Sequence, residues 1–524
     1  MHFIEREDYS TPEARAARYP WGTPPDKIDE NLIAETYEAD VAIIGGGISG
    51  LSAGARCVQL GQSVIVVEKY KGLVAHGAHV ASVGSSIQRE HGVFIDKKQF
   101  ARDWMRICGS RVNEDLLWLY VNNSEAAFEW LLETGGEAIG AKLFGGYYKG
   151  PDFTEYPGTH FIYQKPGYDV YKHKGAMLMC EIMEKVILDG GQLIHRNTRA
   201  LYLEKDESGR VVSFVAQGDD GVYRRYIGHK AVVLATGDIG GNREMMKYFS
   251  PLGLVPQHIG YFPPGINTGD GHQMAYWAGA EYEAHDWALC IHLIAYSMYA
   301  FFFLHVNQEG RRYMNEDTWV QAKAIRTLMQ PGGKYAFSIF DARWAEQVRC
   351  LTAINGGQFC EGLGAVYGQE CWAEEPSEIE RAIDTYVQNG LCCKADTLEE
   401  LAEQMGVPAE NLIATVERYN ELCRKQNDED YGKRSALLTP INKAPYYALK
   451  FGPSLLNVYG GVKTDVKLRV LDAENKPIPG LMATGIIAGG LYGVDYPLLF
   501  NGNSHGRCLT WGRQVADTIA NGES

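Results

Sequence analysis

Residues 40–69 read DVAIIGGGISGLSAGARCVQLGQSVIVVEK, from Asp40 to Lys69. Val41–Ile44 is an apolar run of strand composition. Gly45, Gly47 and Gly50 follow in G-x-G-x-x-G spacing, and the amphipathic run Ile48–Leu60 predicts a helix. Val64–Val67 makes a second strand, which ends in Glu68. Each part has a physical task. Gly45 turns the chain, Gly47 lets backbone approach a pyrophosphate, and Gly50 lets helix and sheet pack closely. The helix N-terminus faces the phosphate charge. Glu68, 18 residues past Gly50, stands where an acid accepts hydrogen bonds from a ribose, with Lys69 beside it. The agreement of all these parts predicts a dinucleotide-binding unit.

Downstream, His76–Ser86 is a run of small residues that lets backbone lie against a flat ligand, with Gly84 and Ser85 at its end. Helical patterns follow at 100–107, 115–134 and 175–189. Residues 144–173 are rich in Tyr, Gly and Pro and read as loop, either lining a pocket with phenols or packing an irregular surface. A third strand, Ala231–Ala235, runs into Thr236 and Gly237, again bringing backbone close to a cofactor. Asp270, in NTGDG, opens the helix 273–278 and is placed to cap it or to bind hydroxyls. The pattern changes from about residue 283 to 442, where helices at 398–405 and 408–423 stand out. The expected division is an arm over 1–35, a first cofactor segment over 36–282, an inserted lobe over 283–442 and a returning segment over 443–524.

At 524 residues the chain exceeds one ordinary core. Its net charge of −15 argues against nucleic acid and anionic membrane surfaces. No apolar run approaches the roughly 18 residues of a membrane span. The eleven cysteines lack zinc or haem spacing, so reduced core thiols, no metal and a cytoplasmic location are expected. Asp428-Glu-Asp430 reads most simply as solvated surface.

DVAIIGGGISG, VVLATGDIGGN, NTGDGHQMAYWAGA, GRRYMNE, GGVKTD, PIPGLMATG and NGNSHGR, in this order, resemble the flavoproteins of the fumarate reductase and succinate dehydrogenase family. That family includes the 3-ketosteroid dehydrogenases and related double-bond reductases. The resemblance implies an α/β fold, with a Rossmann-type FAD-binding domain built from both ends of the chain and an inserted α+β capping domain. It implies hydride transfer between FAD and a C–C bond next to an activating group. By position, Gly45, Gly47, Gly50, Glu68 and Lys69 hold the ADP half. Gly84 and Ser85 approach the flavin, Ala235, Thr236 and Gly237 lie along the cofactor, and Asp270 binds it. Asn503 and Ser504 open a helix aimed at the flavin, with His505 and Arg507 adding positive charge; for Arg507 a surface salt bridge is an equal reading.

The departures narrow the substrate. Ala78 stands where complex-bound relatives attach FAD to a histidine, so non-covalent FAD is expected. Val320 and Asn457 replace an acid arginine and a histidine of the fumarate pattern, and a second arginine falls at Tyr496 or Leu499. Tyr496-Pro497 resembles instead the ketosteroid dehydrogenases, in which a tyrosine and a nearby backbone N–H, here Asn501 or Gly502, hold a ketone. A second tyrosine exchanges the α-proton there, with Tyr147, Tyr148 and Tyr313 as candidates, while His292 reads as core. The expected substrate is a small apolar carbonyl compound such as a 3-oxosteroid, with a separate electron donor or acceptor. Two alternatives stand beside it. One is an unsaturated acid clamped by Arg311, Arg312 or Arg326, and the other is an electron-transfer subunit of a larger complex.

Overall fold

The computed structural model describes residues 9, 11–144, 148–151, 155–156, 159–261, 263–297, 299, 301–355 and 376–524. Tyr147 lies outside them. An eight-stranded sheet forms the base. Its strands run in the order Arg469–Leu471, Pro477–Ala483, Tyr223–Leu234, Ile33–Ile44, Val64–Val67 and Leu193–His195, with the hairpin Thr198–Lys205 and Val211–Gly218 attached. The neighbours of Ile33–Ile44 are both parallel to it. Such a strand is covered on both faces, which is why Val41–Ile44 and Val64–Val67 are unbroken apolar runs, all buried. The helix Ile48–Gln59 buries Ile48 through Ala55. The last helix, Asn503–Ala520, lies against it; a Cβ on Gly512 would meet the Ser49 carbonyl oxygen at 2.6 Å.

The inserted lobe carries a six-stranded sheet centred on the long strand Tyr446–Tyr459. That strand pairs with His258–Ile259, Ala288–Ala295, Ala336–Asp341 and Cys392–Ala395, and Leu304–Val306 adds to Ala336–Asp341. The chain therefore stays in the cap sheet until Tyr459, beyond the expected seam at 442. The helices Leu398–Met405 and Ala409–Lys425 form as read, with the Thr397 side chain capping the first at 3.2 Å from Glu400 N. A third sheet joins His79–Val80, Thr159–Gln164 and Ile139–Phe144, so a strand forms inside the stretch expected to be loop. The strand has two partners, Ile139–Phe144 and the distant His79–Val80, and its own six residues show no clean alternation of buried and exposed positions to announce it.

The arm folds back on the base. Its helix Pro12–Arg18 is capped by Thr11, Arg15 donates to Ala280 O at 2.7 Å, and Arg18 pairs with Glu281 at 2.9 Å. Asp428 corrects the expectation of a solvated acidic run. It is buried and pairs with Arg312 at 2.8 Å; Arg312 also binds Glu316 at 2.9 Å, which meets Lys433 at 3.2 Å. A run of like charges says nothing about a cation over a hundred residues away. No described helix is long and apolar enough to cross a membrane.

Candidate functional site

The glycine turn, the strand ends and the start of the last helix line a cleft. Gly45, Gly47, Glu68, Lys69, Ala235, Thr236, Gly237, Asp270 and Ser504 line it. A Cβ on Gly50 would stand 1.9 Å from Gly45 O, whereas on Gly47 it would meet nothing closer than Val74 O at 3.9 Å. The first is a close-packing glycine and the second faces open space. Gly50 shapes the turn from behind and does not line the cleft.

Glu68 reaches back over this turn. Its Oε2 accepts from Gly46 N at 2.7 Å and its Oε1 from Tyr70 N at 2.7 Å. Asp270 sits in the first turn of its helix and holds Lys69 at 2.9 Å and Arg199 at 2.8 Å. Burial works against its charge, but the two cations keep the carboxyl below its ordinary range. Arg199 was not singled out in the sequence, because it lies on a hairpin strand with no motif around it. The Thr236 hydroxyl is buried in the wall with no hydrogen-bond partner among the described residues. A buried hydroxyl of that kind asks for a ligand. An elongated cleft with an open glycine face, a helix N-terminus and an orphaned hydroxyl fits a phosphate-bridged dinucleotide.

At the other end stand His76, Asn457, Tyr261, Ser504, His505 and Cys508. Gly502, at φ +74°, caps the last helix, and its carbonyl accepts from Ala81 N at 3.0 Å. Asn503 braces this helix start from within: its Oδ1 accepts from the Tyr492 hydroxyl at 2.7 Å and its Nδ2 donates to Phe500 O at 2.9 Å. Gly84 and Ser85 lie outside the cleft lining. Ser85 instead caps a short helix and donates to His160 Nε2 at 2.8 Å, because His160 Nδ1 points at Val80 O. His505 Nδ1 donates to His79 O at 2.7 Å. Burial and the nearby His76 push His505 down to about 4.

Tyr496 is buried in a stack of phenols behind Ser504, 4.9 Å from the Tyr459 ring and 5.6 Å from Tyr492. Its oxygen faces the Ser504 backbone N–H, and burial raises its pKa well above the usual value, so it stays protonated. The preceding Asp495 accepts from Gln321 Nε2 at 3.0 Å, and burial lifts it to about 6. The other tyrosine candidates are engaged in the cap. Tyr148 donates to Asp317 O at 2.9 Å, and the Tyr313 hydroxyl shares a 2.8 Å bond with Thr327. The relocated arginine clamp does not form: Arg312 is committed to Glu316 and Asp428, and Arg311 and Arg326 line no part of the cleft. Arg507 is no surface residue. It is buried, with its guanidinium 4.8 Å from the Tyr492 ring and 5.0 Å from Trp511.

A family model described as FAD binding domain matches residues 40–502. The chain belongs to the FAD-binding-domain family. This FAD-dependent oxidoreductase is 27% identical over 514 residues to the probable fumarate reductase Ifc3 of Shewanella frigidimarina, covering 94% of this chain and 77% of that one. It is 25% identical over 542 residues to the digoxin reductase of Eggerthella lenta, covering 98% and 92%. Its fold matches the 3-ketosteroid-Δ4-(5α)-dehydrogenase of Rhodococcus jostii with a TM-score of 0.70 at 24% identity, covering 94% and 99%. Glu68, Lys69 and Asp270 stand at one end of the cleft, and the start of the last helix stands at the other.

Proposed function

We propose that this flavoprotein reduces, or in reverse forms, a C=C bond conjugated to the carbonyl of an apolar substrate such as a 3-oxosteroid, with non-covalent FAD. FAD held in the cleft, with its adenosine end at Glu68, Lys69 and Asp270 and its flavin end at the start of the last helix, would supply or accept the hydride. The chain's own residues hold the carbonyl and manage the proton. Adding a hydride to the β-carbon of an enone drives charge onto the carbonyl oxygen, and a preorganised donor there lowers the barrier. Tyr496 is that donor: its oxygen accepts the Ser504 N–H, which leaves the phenol's own proton for the substrate. The observation that supports the reading is this protonated phenol just behind the cleft wall, bonded to the N–H of Ser504, which lines the cleft while Tyr496 itself does not; no described arginine lines that end. Arg199 does line the cleft, but it is paired with Asp270 at the adenosine end. Two carboxylates desolvated there without cations would cost several kcal/mol each.

A second reading has its own support. His76, His79, His292 and His505 gather at the flavin end, each lowered by burial first, His79 to about 3 and His292 to about 4. An unsaturated carboxylate would raise them and bind with proton uptake. Relatives named as fumarate and urocanate reductases keep this reading in view. Anaerobic reoxidation of the reduced holoprotein separates the two. Oxidation by 4-androstene-3,17-dione and not by fumarate or urocanate supports the enone; the opposite order supports the acid.

A further inference from the structure

The tyrosines expected to exchange the α-proton, where described, have their hydroxyls engaged in the cap. A different group stands at the cleft. His76 reaches it from the loop after Val64–Val67, and its Nε2 lies 3.1 Å from Asn457 Oδ1. The amide has a fixed orientation, because Asn457 Nδ2 donates to Asp238 Oδ2 at 3.0 Å. Its oxygen therefore faces His76 and also accepts from the Tyr459 hydroxyl at 3.4 Å. An amide oxygen only accepts, so His76 carries its proton on Nε2 and presents Nδ1 as an acceptor. Asp238 is wholly buried and is pinned by Val458 N and Gly240 N, each at 3.0 Å.

We infer that His76 is the proton carrier of this site, with its tautomer fixed by Asn457 and Asp238 as positioning residues. The inference rests on the double-bond chemistry proposed above, whichever substrate class it takes. In the desaturating direction the α C–H bond breaks and its proton goes to His76 Nδ1. The electron pair left behind forms the C=C bond, while the β-hydrogen departs with its pair to FAD, which is reduced. Reduction of the double bond is the reverse.

The surroundings suit a group that changes protonation during turnover. His505 faces His76 from the last helix with ring centroids 6.2 Å apart, and Tyr261 stands at 6.4 Å. His292 approaches from Ala288–Ala295, and both it and His505 are held down in part by His76. Tyr459 and Asp238 complete the ring. Burial lowers His76 and the Asn457 bond opposes that, so it is neutral until negative charge arrives at this end. One proton taken up by His76 discourages a second on its imidazole neighbours.

Two measurements on the holoprotein test this. The first is the pH dependence of the flavin midpoint potential from pH 5 to 9 in wild type, His76→Gln and Asn457→Leu. Wild type is expected to take up one proton more per flavin reduced than His76→Gln over part of that range, and Asn457→Leu is expected to move the break. Equal slopes in all three overturn the inference, and no substrate is needed. Should His76→Gln fail to hold FAD, Asn457→Leu, which keeps the imidazole, decides alone. The second is reduction of 4-androstene-3,17-dione in deuterium oxide. His76→Gln is expected to lose about 100-fold in kcat with KM little changed and with deuterium incorporation at the α-carbon falling in step. An unchanged kcat counts against His76. If wild type itself ignores the enone but the potential slopes differ, the enone reading fails and His76 stands.

Discussion

At the scale of single residues, what the sequence announced is what local backbone geometry demands. Gly45, Gly47, Gly50 and Glu68 were readable because a phosphate turn restricts both residue type and spacing. Gly50→Ala places a Cβ 1.9 Å from Gly45 O, so the turn must open. The purified variant is expected to carry well under one FAD per chain by absorbance; full occupancy would contradict the packing. His76, Asn457 and Asp238 were not readable as a unit. They come from three separate stretches and meet only through the fold, and a lone histidine in a small-residue loop carries no spacing signal. Of the two readings open for Arg507, its burial removes the surface salt bridge. Trp511 stands one turn on in its own helix, but nothing there says that Tyr492, from another stretch, will complete the enclosure.

At the scale of elements, helix ends and parallel strands were legible and ion networks were not. Arg312, Glu316, Asp428 and Lys433 tie the loop after Leu304–Val306 to the segment following Ala409–Lys425. Removing one partner leaves buried charge without its counterpart, so Arg312→Ala is expected to lower unfolding free energy by about 3–5 kcal/mol in urea titrations. A loss under about 1 kcal/mol would mean the network is solvated. Lys323, in the helix Val320–Leu328, is fully buried and donates to Phe301 O. Burial, then Lys433, lowers it from 10.5 to about 7. Between those values the unfolded chain binds more protons, so this lysine makes stability rise with pH from about 7 to about 10.5. In Lys323→Met that part of the rise should vanish from pH-dependent melting curves; an unaltered slope would show that the lysine is hydrated.

At the scale of the whole molecule, the two-lobed plan followed from motif order, since cofactor motifs at both ends leave the middle to be an insertion. The seam was harder to read. Tyr446–Tyr459 pairs with cap strands and only then returns to the base, and a strand's own sequence does not say which sheet receives it. The buried network also sets an acid limit for the whole fold. Although burial opposes its charge, Lys433 and Arg312 hold Glu316 down from 4.5 to about 2. Its stabilisation is present above about 4.5 and is lost as pH falls towards about 2. Circular dichroism is expected to show cooperative loss of structure within that window, and earlier in Lys433→Met; identical profiles would contradict it.

The claim on which the functional reading turns is that the Tyr496 phenol, and not a guanidinium, receives the substrate's developing charge. Single-turnover reoxidation of the reduced holoprotein by 4-androstene-3,17-dione tests it in wild type and Tyr496→Phe. The phenylalanine ring keeps the stack on Tyr459 and removes only the hydroxyl. Tyr496→Phe is expected to lose about 10²–10³ in rate with FAD content unchanged. An undiminished rate in Tyr496→Phe would contradict it.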